Sequence, residues 1–189
     1  MNELAFDVVH VPAGEVTALA GDVAAVYRAA FAEPPYRYGQ TQVREFQQEV
    51  FARHVGREGF RLVVARVAGR VVGFAYGYTG QRGQWWTDVV AHAMPEAVAR
   101  QWLGGHFEFV ELAVAPEFQR CGIGTALHDA LLQGLPHPRA LLTALDAPTP
   151  ALRLYGRKGW RVLVRGLKFP GSDSTYLILG LDLTQRGIR

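Results

Sequence analysis

The stretch from His106 to Leu135 constrains the fold of this sequence more than any other part. Between Phe107 and Val114 it is rich in aromatic, β-branched and aliphatic residues and has no turn former, which predicts a strand. Pro116 ends the strand, because proline has no N–H to give to a ladder. Apolar residues then recur at the spacing of one helical face, so we expect a helix from about Gly122.

The turn that joins this strand to this helix, Gln119 to Gly124, contains two glycines that let a backbone approach a ligand closely. The free N–H groups of a first helical turn favour an anion by roughly 0.3–1 kcal/mol. Two glycines alone are equally compatible with a tight structural connection. The turn has neither the Gly-Lys-Ser/Thr of a P-loop nor the third glycine of the dinucleotide fingerprint.

Two motifs point to a known family. The segment Glu111–Pro116 is followed by Gln119-x-x-Gly122-x-Gly124 and an amphipathic helix, and Ala151-x-x-Leu-Tyr-x-x-x-Gly-Trp160 lies further on. The first resembles the acetyl-coenzyme A motif of the GNAT superfamily of N-acetyltransferases. The second is similar to the family element Ala-x-x-Leu-Tyr-x-x-x-Gly-Phe, with Trp160 in place of the usual Phe. Because the order of elements also agrees, the resemblance covers nearly the whole chain.

The order of elements predicts an α/β fold, with a mixed β-sheet, helices on both faces and a helical insertion before the central strand. The resemblance implies that this sheet is splayed at its centre. It implies acetyl-CoA as co-substrate and transfer of the acetyl group to a primary amine by direct attack in a ternary complex. The six histidines show no metal-ligand spacing, so we expect no metal. The groups that would hold the coenzyme or the developing oxyanion are Leu112, Ala113, Val114, Gln119, Arg120, Cys121, Gly122, Ile123, Gly124 and Thr125. A non-catalytic acyl-CoA-binding sensor with the same fold is the alternative.

Two carboxylates of the predicted central strand are candidates for the base. A lysine-like amine has a pKa near 10.4 and must lose a proton before it attacks. Glu108 and Glu111 are three positions apart, so a regular strand would place them on opposite faces. Counted back from the glycine signature, Glu108 falls where some family members carry a catalytic glutamate, so we favour it over Glu111. A solvated or salt-bridged acid is the structural alternative, and His106 is a lesser candidate.

For the acid that protonates the leaving thiolate, the resemblance implies Tyr155, and a core tyrosine is the structural alternative. Two positions depart from the family pattern. Pro148 stands where many relatives have an asparagine, and Thr143 stands where members that acetylate protein N-termini often have a glutamate. The second departure weakens the case for a ribosomal-protein-type acceptor.

The segment from Thr79 to Gly105 is too long for a simple loop and is expected to hold two short helices. It carries three of the four tryptophans, including Trp85 and Trp86, which either line an acceptor pocket or anchor the insertion. Tyr36, in the loop from Pro34 to Gly39, would border the acceptor groove in the family, or packs on the surface. We take Tyr36, Trp85 and Trp86 as the candidate substrate-binding residues.

Length and composition suggest one domain, residues 1–189, with residues 79–105 as a possible acceptor-side lid. Cys121 is the only cysteine, which fits a reducing compartment, and we expect a cytoplasmic protein. The N-terminal sequence lacks the pattern of a signal peptide, and no apolar run is long enough to cross a membrane. A net charge of +3 with scattered basic residues predicts no nucleic-acid partner. A monomer and a homodimer are both compatible with the sequence.

Overall fold

The computed structural model of the protein describes residues 4–184. The strands are β1 Asp7–His10, β2 Arg61–Val67, β3 Arg70–Gly80, β4 His106–Val114, β5 Arg139–Leu145, β6 Arg161–Leu167 and β7 Tyr176–Asp182. The helices are α1 Ala20–Phe31, α2 Gln40–Glu45, α3 Ala52–Val55, α4 Trp85–Ala93, α5 Glu96–Trp102, α6 Ile123–Leu132 and α7 Pro150–Arg157. A π-helical segment, Phe46–Phe51, joins α2 to α3.

The strands form one mixed sheet in the order β1-β2-β3-β4-β5-β7-β6. β2 pairs antiparallel with β1 and β3, β7 pairs antiparallel with β5 and β6, and β4 pairs in parallel with β5 at Phe107 and Glu108. The chain divides into two compact units. The first holds the described residues up to Tyr78 with Val110–Leu135, and the second holds Thr79–Phe109 with the described residues from Pro136.

In the first unit, helices cover both faces of the sheet. A Cβ atom at Gly73 on β3 would lie 3.0 Å from Leu127 and 3.3 Å from Ile123, so α6 packs on that face. Its neighbour Phe74 points to the other face, where its ring lies 6.2 Å from that of Phe46 in the π-helical segment. The aromatic core therefore lies on the face of β3 opposite α6.

In the second unit, α4 and α5 form an apolar cluster with β5, β6 and β7. Trp102 at the end of α5 is 5% exposed, and its ring lies against Gly180 of β7, where a Cβ atom would come within 2.6 Å. Arg139 and Arg161 place their guanidinium carbons 5.7 and 5.6 Å from the centre of the Trp102 ring. The insertion is thus fixed by the buried indole of Trp102, which also contacts one arginine on β5 and one on β6.

The predicted α/β class is confirmed, and so are the strand into Val114 and the helix after Gly122. Both helices of the insertion are present, but β3 extends to Gly80, so the first two residues of the segment from Thr79 to Gly105 belong to a strand. Helix α2 begins at Gln40, after Gly39, which donates its N–H to Gln42 Oε1 at 3.0 Å. Of the helices in residues 4–184, none has the length and apolar character needed to span a bilayer.

Candidate active site

The turn into α6 presents backbone N–H groups at a helix start. Arg120 and Gly122 have positive φ values of 62° and 85°, and Gly122 is the residue before the first turn. No side chain among the described residues caps this helix, and Ala126 is the first residue that donates to the turn, to Gly122 O at 3.0 Å. The N–H groups of Ile123, Gly124 and Thr125 are therefore available to an anion.

Several contacts fix this turn. The Gln119 amide donates to Val114 O at 2.9 Å, and the Cys121 thiol to Gln119 O at 3.4 Å. The Ala115 N–H donates to Val72 O at 2.9 Å, which ties the end of β4 to β3. The close packing of α6 against Gly73 of β3 also fixes the position of the turn. An isolated glycine inside a strand is a signal of such an approach, but Gly73 was not among the residues predicted from the sequence.

These features fit the pyrophosphate of coenzyme A. The open N–H groups and the exposed Arg120 side chain supply positive partial and full charge, and Gly122 adopts a backbone conformation that a side chain would strain. Leu112, Ala113 and Val114 form the end of β4 in the same unit. Their role as ligands of the coenzyme is not tested by these contacts and stays a prediction.

Glu111 lies on the part of β4 that belongs to the first unit, which also holds the turn from Gln119 to Gly124. Its side chain is partly buried, and loss of water raises the pKa of its carboxyl group to about 8, although a hydrogen bond with the Leu112 backbone lowers it. At pH 7 the group is therefore about nine-tenths protonated.

Glu108 lies on the part of β4 that belongs to the second unit and is 3% exposed. His106 is two residues earlier, on the same face of the strand, and is 1% exposed. Burial, with the nearby His137, lowers the pKa of His106 to about 4, so its ring is neutral at pH 7. This pKa argues against His106 as the base at neutral pH, because so weak a base takes few protons.

Tyr155 lies near the end of α7 and is 7% exposed. Its ring is edge-on to Phe109 at 6.1 Å and to Trp160 at 5.8 Å, all within the second unit. α7 begins after Thr149, whose hydroxyl accepts from the Leu152 N–H at 3.1 Å. These contacts agree with a core position, and the catalytic role of Tyr155 stays a prediction.

The candidate acceptor residues differ in their surroundings. Trp86 is half-buried and donates through Nε1 to Thr143 Oγ1 at 3.3 Å, whereas Trp85 is 61% exposed and stacks on Phe169 at 5.6 Å. Tyr36 belongs to the first unit, where its ring packs edge-on to Phe31 at 4.8 Å. The role of these three residues in binding substrate stays a prediction.

Comparison with known proteins identifies the family. The model of the acetyltransferase (GNAT) family matches residues 23–160. A GCN5-like protein acetyltransferase of Mycobacterium tuberculosis is 34% identical over 121 residues, which are 60% of this chain and 59% of that relative. The structure of the ribosomal-protein-S18-alanine N-acetyltransferase from Escherichia coli is similar in fold, with a TM-score of 0.61 and 16% sequence identity. The match covers 95% of this chain and 94% of that protein's chain. The structure of PaiA N-acetyltransferase from Thermoplasma acidophilum in complex with coenzyme A is also similar, with a TM-score of 0.59 and 12% sequence identity. This match covers 94% of this chain and 99% of that protein's chain.

The family model and the fold together define an acetyltransferase domain, with an open helix start before α6. The chain belongs to the GNAT family of acetyltransferases, which confirms the resemblance seen in the sequence. It matches somewhat under two thirds of the length of the mycobacterial relative. Within residues 4–184, no group of three or more His, Cys, Asp and Glu side chains is placed to hold a metal ion.

Proposed function

We propose that this protein transfers the acetyl group of acetyl-CoA to the nitrogen of a primary amine, on a small molecule or an exposed amino group, in a ternary complex. The observation that carries the proposal is the buried carboxyl group of Glu108 on β4, the strand that precedes the turn from Gln119 to Gly124 in the sequence. The names of the relatives, which include protein and ribosomal-protein alanine acetyltransferases, support an amine acceptor. A cytoplasmic location, expected from the single cysteine, is part of the same proposal.

The reaction needs a base, a place for negative charge and a proton for the leaving group. The coenzyme supplies an acetyl thioester, whose C–S bond breaks as the C–N bond forms. Glu108 takes the proton of the attacking amine, directly or through water, which contributes about 10²–10⁴ in rate. The backbone N–H groups of Leu112–Val114 stabilise the carbonyl oxygen as it becomes anionic. Tyr155 gives a proton to the thiolate, a role assigned from the motif.

Glu111 is the second candidate for the base. A carboxyl group with a pKa of about 8 is a stronger base than an ordinary glutamate, but most of it is already protonated at pH 7. If Glu111 were the base, the rate would rise with pH up to about 8 along an acidic limb that belongs to its carboxyl group. The variant that loses this acidic limb therefore shows which of the two glutamates is the base.

The test is a set of pH–rate profiles for wild type, Glu108→Gln and Glu111→Gln, after a panel of amines has identified an acceptor by product mass and release of free thiol. We expect Glu108→Gln to lose about 10²–10⁴ in kcat and to keep its coenzyme affinity. If only Glu111→Gln loses the acidic limb, the two roles exchange. If both variants keep it, neither carboxyl group is the base.

A further inference from the structure

Three polar side chains of the second unit, which we call the polar wall, lie near Trp86 in the first turn of α4: the buried His106 and Glu108 and the partly buried Thr143. His106 and Glu108 share one face of β4. Glu108 is opposite Leu141 on β5, and Thr143 lies two residues further along the same face of that strand. Trp86 covers this wall, because it donates to Thr143 Oγ1 at 3.3 Å and its ring lies 6.3 Å from that of His106.

The imidazole of His106 is held in one place and one tautomer. A side chain at Gly80 would overlap the imidazole, so the ring lies directly against the backbone of β3. The Gly104 N–H donates to Nδ1 at 3.3 Å, which makes Nδ1 the acceptor and leaves the proton of the neutral ring on Nε2. His106 therefore offers a fixed, uncharged N–H donor.

That donor is buried without an acceptor. Within the described part of the chain, Nε2 has no hydrogen-bond partner, although the residue is 1% exposed. The hydroxyl of Thr87, fully buried on α4 next to Trp86, is a second such group in residues 4–184. Native proteins rarely leave such groups unpaired, and where they do the group often has a role in binding or catalysis.

We propose that His106 selects the acceptor, by donating its Nε2–H to an uncharged oxygen of the amine substrate. This inference rests on the proposed function, with the amine placed at Glu108. Two residues of strand separate the positions by roughly 6–7 Å, so the amine carries a hydroxyl, ether or carbonyl oxygen roughly four to five bonds from its nitrogen. A second ammonium group would be rejected, because it has no lone pair to accept the bond.

Nε2 is enclosed, so binding there requires a neighbouring group to move, and in this proposal that group is Trp86, whose ring lies 6.3 Å from that of His106. The indole is half-buried at the edge of the apolar cluster, and its hydrogen bond to Thr143 is long, at 3.3 Å. A matched acceptor would therefore change tryptophan fluorescence, and this readout does not depend on turnover.

Three amines of one length test the proposal: 4-aminobutan-1-ol, pentylamine and 1,4-diaminobutane. For wild type we expect kcat/KM to be about tenfold or more higher for the amino alcohol than for either other amine. His106→Leu should reduce this ratio to about one. His106→Gln should keep most of it, because the glutamine amide places an N–H near the position of Nε2. His92→Leu changes an exposed histidine on α4 and should leave the ratio as in wild type.

Other outcomes overturn the proposal. A wild-type ratio near one shows that Nε2 meets no acceptor oxygen, and an unchanged ratio in His106→Leu shows that another group selects. A thermal shift with coenzyme A establishes that each variant is folded. If coenzyme binds but no amine is acetylated, the proposed function fails separately. In that case, binding of 4-aminobutan-1-ol tests the role of His106. A saturable change in tryptophan fluorescence that His106→Leu abolishes supports this role, and no change in wild type overturns it.

Discussion

The carboxyl group of Glu111 binds its proton more tightly in the folded chain than in water, and this has a consequence for stability. Its pKa is about 8 when folded and near 4.5 otherwise. Below pH 4.5 both states are protonated and the group costs nothing. Between pH 4.5 and 8 the unfolded chain releases the proton and the folded chain keeps it, so folding is progressively disfavoured, by on the order of a few kcal/mol.

We therefore predict that Glu111→Gln is more stable than wild type at pH 8 by more than at pH 5, as measured by urea unfolding at both values. Glutamine removes the ionisation but keeps the size of the side chain. Glu117→Gln is the control, because Glu117 is an exposed acid paired with Arg70 at 3.3 Å, and its loss should change stability by less than about 1 kcal/mol at either pH. An advantage of Glu111→Gln that is equal at pH 5 and pH 8 would contradict the raised pKa.

At the scale of secondary-structure elements, the position of α6 depends on Gly73. A methyl group there would meet Leu127 at 3.0 Å and the backbone oxygen of Ala113 at 3.1 Å, and the backbone oxygen has little room to move. Gly73→Ala should therefore displace α6, destabilise the fold by about 1–3 kcal/mol and weaken coenzyme binding. Thermal unfolding with and without coenzyme A measures both effects.

Gly21→Ala is the matched control for that prediction. Gly21 lies in α1, and an added Cβ atom there would have nothing within 4 Å, so alanine should stabilise the helix by about 0.5–1 kcal/mol and leave coenzyme binding alone. Should Gly73→Ala behave like Gly21→Ala, α6 is not set by that contact.

The insertion depends on one tryptophan. Trp102 is 5% exposed and packs on Gly180, so Trp102→Ala should cost about 3–5 kcal/mol in the free energy of unfolding. Trp85, on α4, is 61% exposed, and Trp85→Ala should cost less than about 1 kcal/mol. Chemical denaturation of the two variants checks the contrast, and equal losses would show that Trp102 does not fix α5.

Elements that carry a local pattern could be predicted from the sequence. The strand into Val114, the turn and α6 follow from turn formers and apolar spacing within one stretch of chain. Pairs far apart in sequence could not be predicted, because no local pattern encodes them. The fit of His106 on Gly80 and of Trp102 on Gly180 depends on which strands become neighbours. The raised pKa of Glu111 likewise depends on burial that tertiary structure creates.

At the scale of the whole molecule, the site residues divide between the two units. Glu111, the turn from Gln119 to Gly124 and Tyr36 belong to the first unit, whereas Glu108, Tyr155 and the tryptophans of the insertion belong to the second. The sequence order of the motifs predicted the family and the fold. It did not predict this division, because the boundary falls inside one continuous strand, β4, where the sequence has no break.

Binding of coenzyme A should stabilise the protein as a whole. A ligand at about 100 times its dissociation constant adds roughly 2.7 kcal/mol to the free energy of unfolding, and for a chain of this size each 1 kcal/mol raises Tm by about 2–4 °C. We predict a rise of about 5–10 °C for wild type at saturating coenzyme A. Gly124→Val should abolish the rise, because a branched side chain at the start of α6 would occupy the space of the pyrophosphate. Gly14→Val, at an exposed glycine with nothing within 4 Å of the added Cβ, should keep it. No rise in the wild type at millimolar coenzyme A would contradict the assignment of the α6 turn as the coenzyme site, and a rise retained by Gly124→Val would move the pyrophosphate elsewhere.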